Sequence, residues 1–206
     1  MVNIRKLLAV VLAMLLLTLP VLAEEAERQA AANEAYAGVL LDGAAITPGE
    51  GDMHMPADWN VVRFALVDLN EDGVDECILE LAEYEAFIIL FAYNDGVWAW
   101  EWSYRGMNKL KDDGTFSFSS GALDNGVGQL TLRATAEGDQ WGILPLAESI
   151  SCQDEAGNVI VTYWLDGGAE STDEAGFLAA LEAQDAKLDA LWYDYTPENL
   201  QMLLRH

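Results

Sequence analysis

From Val61 onward the apolar positions fall in short runs separated by clusters of Asp, Asn and Gly. Runs this short, rich in Val, Ile, Phe, Tyr and Trp, read as strands rather than helices. The first two flank an acidic loop within 61–81 (VVRFALV-DLNEDGVDE-CILEL), and the next two are AFIILFAY at Ala86–Tyr93 and VWAWEWSY at 97–104. Asn94-Asp95-Gly96 joins the second pair as a hairpin turn. Further strands are expected at 107–110, 115–119, 129–135, 142–146, 149–153 and Val159–Leu165, with turns at Asp112-Asp113-Gly114 and Glu155-Ala156-Gly157-Asn158. The Gly-rich stretch 119–126 lacks the lysine and the strand-to-helix setting of a phosphate loop, and reads as another turn. Connections so short imply an antiparallel meander.

Three segments have the character of helices. Residues 24–41 are rich in Ala and Glu, lack Gly until Gly38 and end at Asp42-Gly43, with Tyr36, Val39 and Leu40 as the large apolar anchors. Residues 42–59, with Gly43, Pro48, Gly49, Gly51 and Pro56, read as a loop. Ser171 and Glu174 have the spacing of a capping box, and Phe177, Leu181, Leu188 and Trp192 then recur near helical spacing, predicting a helix over about 172–191. Thr196-Pro197 starts a terminal helix. The expected fold is α+β: an antiparallel meander with an N-terminal helix and two C-terminal helices.

The loop between the first two strands carries the clearest chemistry. Asp68, Asn70 and Asp72 alternate, Gly73 permits a sharp turn, Val74 offers a carbonyl and Glu76 closes the loop at the ninth position. Ca²⁺ takes six to eight hard oxygens at about 2.3–2.6 Å, and alternate residues of such a loop can converge on one ion. The helix–loop–helix calcium hand needs Glu at position 12, where this chain has Leu79. Strand–loop–strand is therefore the expected setting. The pattern resembles the D-x-[DN]-x-D-G-x-x-[DE] loops of integrin-type repeats and dockerin-like modules. Asp, Asn and Gly also form ordinary solvated turns.

Residues 1–23 place Arg5 and Lys6 before an uncharged run from Leu7 to Leu19, followed by Val21-Leu22-Ala23 with small residues at the −3 and −1 positions. This is the pattern of a secretory signal peptide, with the exported chain expected to begin at Glu24. The run is shorter than the roughly 20 residues of a spanning helix, and no Cys follows it to carry a lipid anchor. The expected organisation is a leader over 1–23, a helix and loop over 24–59, and one α+β domain over 60–206. The leader holds two of the 10 basic residues and none of the 35 acidic ones, so eight bases against 35 acids leave −27 on the exported chain. Such a field disfavours nucleic acid and anionic membrane surfaces, aids solubility and suits cations. Export permits a disulfide between Cys77 and Cys152, and spacing alone leaves the pairing open.

Beyond the loop, the stretches FALVDLNEDGVDECILEL, YNDGVW, YRGMNKLKDDGTFSFSSGALDNGVG, TYWLDGGAESTDEAGFLAALEAQ and WYDYTPENL resemble a group of uncharacterised exported proteins of anaerobic Gram-positive bacteria of the gut Firmicutes type. The resemblance covers about residues 60–204. It implies a secreted, extracellular or cell-envelope location and calcium, and no reaction. Cys77 stands where such loops usually have an aliphatic residue, and Asp75 where they often have Pro. Neither change removes a ligand.

Catalytic chemistry finds little support. Two histidines, His54 in a Gly/Pro loop and His206 at the last position, do not suit a nucleophilic triad or a zinc site. With 35 acids in the chain, two carboxylates near one another are uninformative as a glycosidase pair. Trp98, Trp100 and Trp102 share one strand face and could stack on sugar rings. Core beneath Phe177, Leu181, Leu188 and Trp192 is the favoured reading, because the opposite strand face of Val97, Ala99, Glu101 and Ser103 is poorer in core material. The leading expectation is a non-catalytic, calcium-binding module with a protein or glycan partner and no stable membrane insertion after leader removal. The alternative is a secreted glycan-binding or glycan-cleaving protein using the tryptophan face.

Overall fold

The computed structural model describes residues 4–49, 54–82, 86–93, 96–103, 105–135 and 138–205. Its order is helix α1 (Ile4–Asp42), β1 (Thr47–Pro48), a 3-10 turn at Pro56–Asp58, then β2 (Val61–Val67), β3 (Glu76–Leu81), β4 (Ala86–Tyr93), β5 (Gly96–Ser103), β6 (Phe116–Ser119), β7 (Asn125–Thr135), β8 (Gly138–Gln153) and β9 (Val159–Leu165). A 3-10 turn at Asp166–Gly168, β10 (Glu170–Thr172), α2 (Glu174–Asp185), β11 (Tyr193–Asp194) and α3 (Pro197–Leu204) complete it. The class is α+β, as expected. The single meander is corrected to two sheets, ordered β1-β5-β4-β3-β2-β11 and β10-β9-β8-β7-β6. All pairings are antiparallel except β1 with β5.

Alternation along the strands separates the two faces of the larger sheet. Phe64, Cys77, Leu79, Leu81, Ile88, Leu90, Val97 and Ala99 pack with Ala32, Tyr36, Ala37 and Val39 of α1 and Leu200 and Leu204 of α3. Their neighbours Ala65, Val67, Ile78, Phe87, Ile89 and Phe91 pack with Met107, Leu110, Phe116 and Leu130 on the side of the second sheet. The central strands β3 and β4 are buried on both faces, which is why their sequences run continuously apolar. On the far face of the second sheet, Phe177 of α2 joins Val127, Ala147 and Tyr163. The layers thus run α1 and α3, six strands, five strands, α2.

Several local expectations are corrected. Residues 107–110 form no strand: Lys109 adopts φ +51°, and Asn108 makes an isolated bridge to Ser117. The segments 142–146 and 149–153 are one strand, β8, running through Pro145. Its pairing with β7 shifts register opposite that proline, between Val127 and Gly128, so a bulge rather than a turn accommodates it. The N-cap of α2 is Asp173, whose side chain accepts the Gly176 N–H, while Ser171 lies in β10 and pairs with Trp164 of β9. The helix ends at Asp185, well before residue 191, and Leu188 and Leu191 are exposed. Thr196 caps α3 as expected, accepting the Asn199 N–H. The Asn94-Asp95 turn lies outside the described residues.

Cys77 and Cys152 are both free thiols, the first buried in β3 and the second exposed on β8. Burial also pushes the Cys77 thiol far up from its ordinary range. Titration of the native protein with a thiol reagent is therefore expected to label Cys152 quickly and Cys77 only on unfolding. Two equally fast thiols, or none in the denatured protein, would contradict this arrangement.

Candidate metal centre

The loop of interest closes the β2–β3 hairpin, with Val67 paired to Glu76 at its neck. Its short polar side chains bend back to the main chain. Asp68 Oδ1 accepts the Asp72 N–H at 3.1 Å and Asp68 Oδ2 the Gly73 N–H at 2.8 Å. Asn70 Oδ1 accepts the Asp72 N–H at 2.9 Å, and Asp72 Oδ1 accepts the Val74 N–H at 2.9 Å. These Asx-type bonds curl the backbone, helped by left-handed φ values of +59° at Glu71 and +81° at Gly73.

Glu76 sits at the bottom of the loop, 3% exposed. Its Oε2 accepts the Leu69 N–H at 2.7 Å and its Oε1 the Asn70 amide at 3.2 Å, both neutral donors. Burial pushes its carboxyl up to about 9, against the Leu69 bond and with further upward pressure from Asp72, Asp68 and Asp75. Asp75 is raised as well, by burial and then by Asp68. The loop thus concentrates acidic side chains around a buried carboxyl.

The five expected ligands, Asp68, Asn70, Asp72, Val74 and Glu76, therefore occupy one curled loop. Among the described residues, no three His, Cys, Asp or Glu side chains are gathered into a group that could hold a metal. A complete coordination sphere needs the Asn70 amide and the Val74 carbonyl beside the carboxylates. Each carboxylate oxygen has two lone pairs, so the N–H bonds and an ion are compatible. Glu71 is exposed.

Two further walls come from distant sequence. From α1, Arg28 Nη2 donates to the Asp72 carbonyl at 3.0 Å, Gln29 Oε1 accepts the Asp75 N–H at 2.7 Å, and the Tyr36 hydroxyl donates to the Asp75 carbonyl at 3.2 Å. Burial raises the Tyr36 hydroxyl, keeping it a donor, and it also accepts the Ala92 N–H. A cavity of about 510 Å³ lies between helix and loop, lined by Arg28, Ala32, Tyr36, Asp72, Val74 and Glu76 among others. On the other side the 112–114 turn touches the loop's first residue. A Cβ on Gly114 would lie 2.2 Å from the Asp68 carbonyl oxygen, and its φ is +77°. Only glycine suits that approach.

The tryptophan strand is arranged differently from the expectation. Trp100 and Trp102 are half-buried against the cluster between the sheets, in which Trp192 also packs, whereas Phe177 and Leu181 belong to the separate cluster under α2. Leu188 is 73% exposed. The Gly49 backbone lies over Trp100 and that of Gly106 against Trp102, and Trp98 is the most exposed of the three, at 39%. His54 is engaged by Glu101, whose Oε2 lies 2.8 Å from Nδ1 and accepts the His54 N–H at 2.8 Å. Among the described residues no helix is long and apolar enough to cross a membrane. Comparison with known proteins finds no matching family model, no matching curated protein and no matching solved structure.

Proposed function

We propose that this chain is an exported, non-catalytic binding or interaction protein of the cell envelope or extracellular space, stabilised by Ca²⁺. The ion is held by Asp68, Asn70, Asp72, the Val74 carbonyl and Glu76. The observation that carries this reading is Glu76, whose carboxyl is buried among Asp68, Asp72 and Asp75 with neutral donors as its described partners. A divalent cation supplies the positive charge that would hold such a group in its ionised form. The leader pattern of residues 1–23 supports export, and the surplus of acid favours cations over nucleic acid.

Extracellular calcium modules bind with dissociation constants of roughly 10⁻⁴–10⁻³ M. At the tighter end, about 1 mM free calcium stabilises the fold by about 1.4 kcal/mol. For a domain of this size the melting temperature is expected to rise by about 3–6 °C. Asp68→Ala and Asp72→Ala should each abolish the rise, and Glu71→Ala should keep most of it. A melting curve unmoved by calcium, with no binding heat at millimolar concentration, would reduce the loop to a solvated turn.

The alternative, glycan binding through Trp98, Trp100 and Trp102, has the partial exposure of Trp98 in its favour. Glycan capture lost on Trp98→Ala in a folded protein would move the assignment to that strand.

A further inference from the structure

We propose that Arg28 is a built-in cation of this loop, competing with calcium for Asp72 and so setting the calcium affinity. The inference rests on the calcium reading above. Arg28 donates to the Asp72 carbonyl at 3.0 Å, and the same Nη2 lies 3.5 Å from Asp72 Oδ1, the side-chain ligand at loop position five. Among the described ion pairs, this is the one that reaches the loop.

The arginine does not arrive there by a loose side-chain excursion. Glu25, Arg28, Gln29, Ala32 and Tyr36 recur at the spacings that share one helix face. Gln29 and Tyr36 fasten that face to the N–H and the carbonyl of Asp75, and Ala32 and Tyr36 are buried against the sheet. Glu25 lies against Gly73. The helix is thereby registered on the loop, and the guanidinium stands beside Asp72. In the calcium-free protein it offsets part of the acid concentrated at 68–76. Once a divalent ion uses Asp72, the neighbouring guanidinium repels it and lowers its affinity.

Arg28 and Asp72 are each about half exposed, at 47% and 50% of the side chain, so the pair is worth little to folding and its removal leaves the protein folded. The effect on a doubly charged ion is larger and is screened by salt. Calcium titration by calorimetry of the unmutated protein, Arg28→Gln and Arg28→Lys, at low and at high ionic strength, tests the proposal. Arg28→Met replaces the glutamine variant if the amide disturbs the helix. Loss of the charge is expected to tighten calcium binding by about three- to tenfold at low salt, with the difference shrinking as salt is raised. The lysine variant should stay within about twofold of the unmutated protein. A purely structural role for Arg28 predicts weaker binding without its charge, and that result, or an unchanged affinity, overturns the proposal while leaving the calcium site standing. Absence of calcium binding in the unmutated protein removes both.

Discussion

Leu79→Ala is expected to destabilise the protein by about 3 kcal/mol, lowering the melting temperature by about 6–12 °C. Leu79 is 0% exposed in the middle of β3, paired with Phe64 on one side and Ile88 on the other. Its side chain belongs to the cluster that joins the larger sheet to α1 and α3. Truncation there loses the transfer free energy of the removed carbons and leaves a cavity that two neighbouring strands, themselves buried, are poorly placed to fill. Leu181→Ala is the useful contrast. From the helical spacing alone, Leu181 reads as a main anchor of the core, yet it is half-buried beside the small cluster under α2. Its truncation should cost about 1 kcal/mol. Chemical denaturation of both variants measures the difference, and equal costs would mean that the core does not centre on β3.

That contrast reflects what the chain makes legible locally. Strands β2 to β5 and β9 stand out because short β-branched and aromatic runs end at Asp, Asn and Gly, and both properties are local. The period of two also places three indoles on one face of β5. It does not say which partner that face meets. Val97 and Ala99 look too slight to face a core, but α1 covers them with Ala32, Tyr36 and Ala37, and the bulky face turns to the second sheet. The end of α2 is misread for a related reason. Leu188 and Trp192 continue a helical rhythm, but residues after Asp185 leave the helix, and Ala190 and Trp192 enter the cluster between the sheets. Tertiary burial overrides local period there.

The candidate site divides in the same way. Its ligands lie within nine consecutive residues, so their alternation can be read directly. Its supports come from Arg28, Gln29 and Tyr36, some forty residues earlier in the chain, and from Gly114, some forty later, and no spacing rule connects them to the loop. One local clue does exist: Arg28 is the lone base of the Ala- and Glu-rich stretch 24–41.

Lys111→Met is expected to destabilise the protein by about 2–3 kcal/mol, although the change removes a buried charge and nearly preserves volume. Lys111 is 3% exposed, and its Nζ donates to the carbonyls of Asp185 at 3.3 Å and Lys187 at 3.2 Å and to Asp189 Oδ1 at 2.6 Å. The ammonium therefore closes the C-terminal end of α2 and ties the following segment back to the 111–115 turn, where Lys111 also bridges Asp189 through the backbone. Two terms oppose each other. Methionine spares the desolvation of an ammonium, which alone would make the substitution neutral or stabilising. It also strands helix-end carbonyls that have lost their donor, at about 1–3 kcal/mol for each one that water cannot reach. Asp189 contributes little to the balance, because its side chain is 78% exposed and returns to water. The stranded carbonyls should win, and hydrogen exchange should accelerate in the last turn of α2 before it does in β3 or β4. A stabilised Lys111→Met protein with unchanged exchange at 182–187 would show that desolvation of the ammonium outweighs its caps.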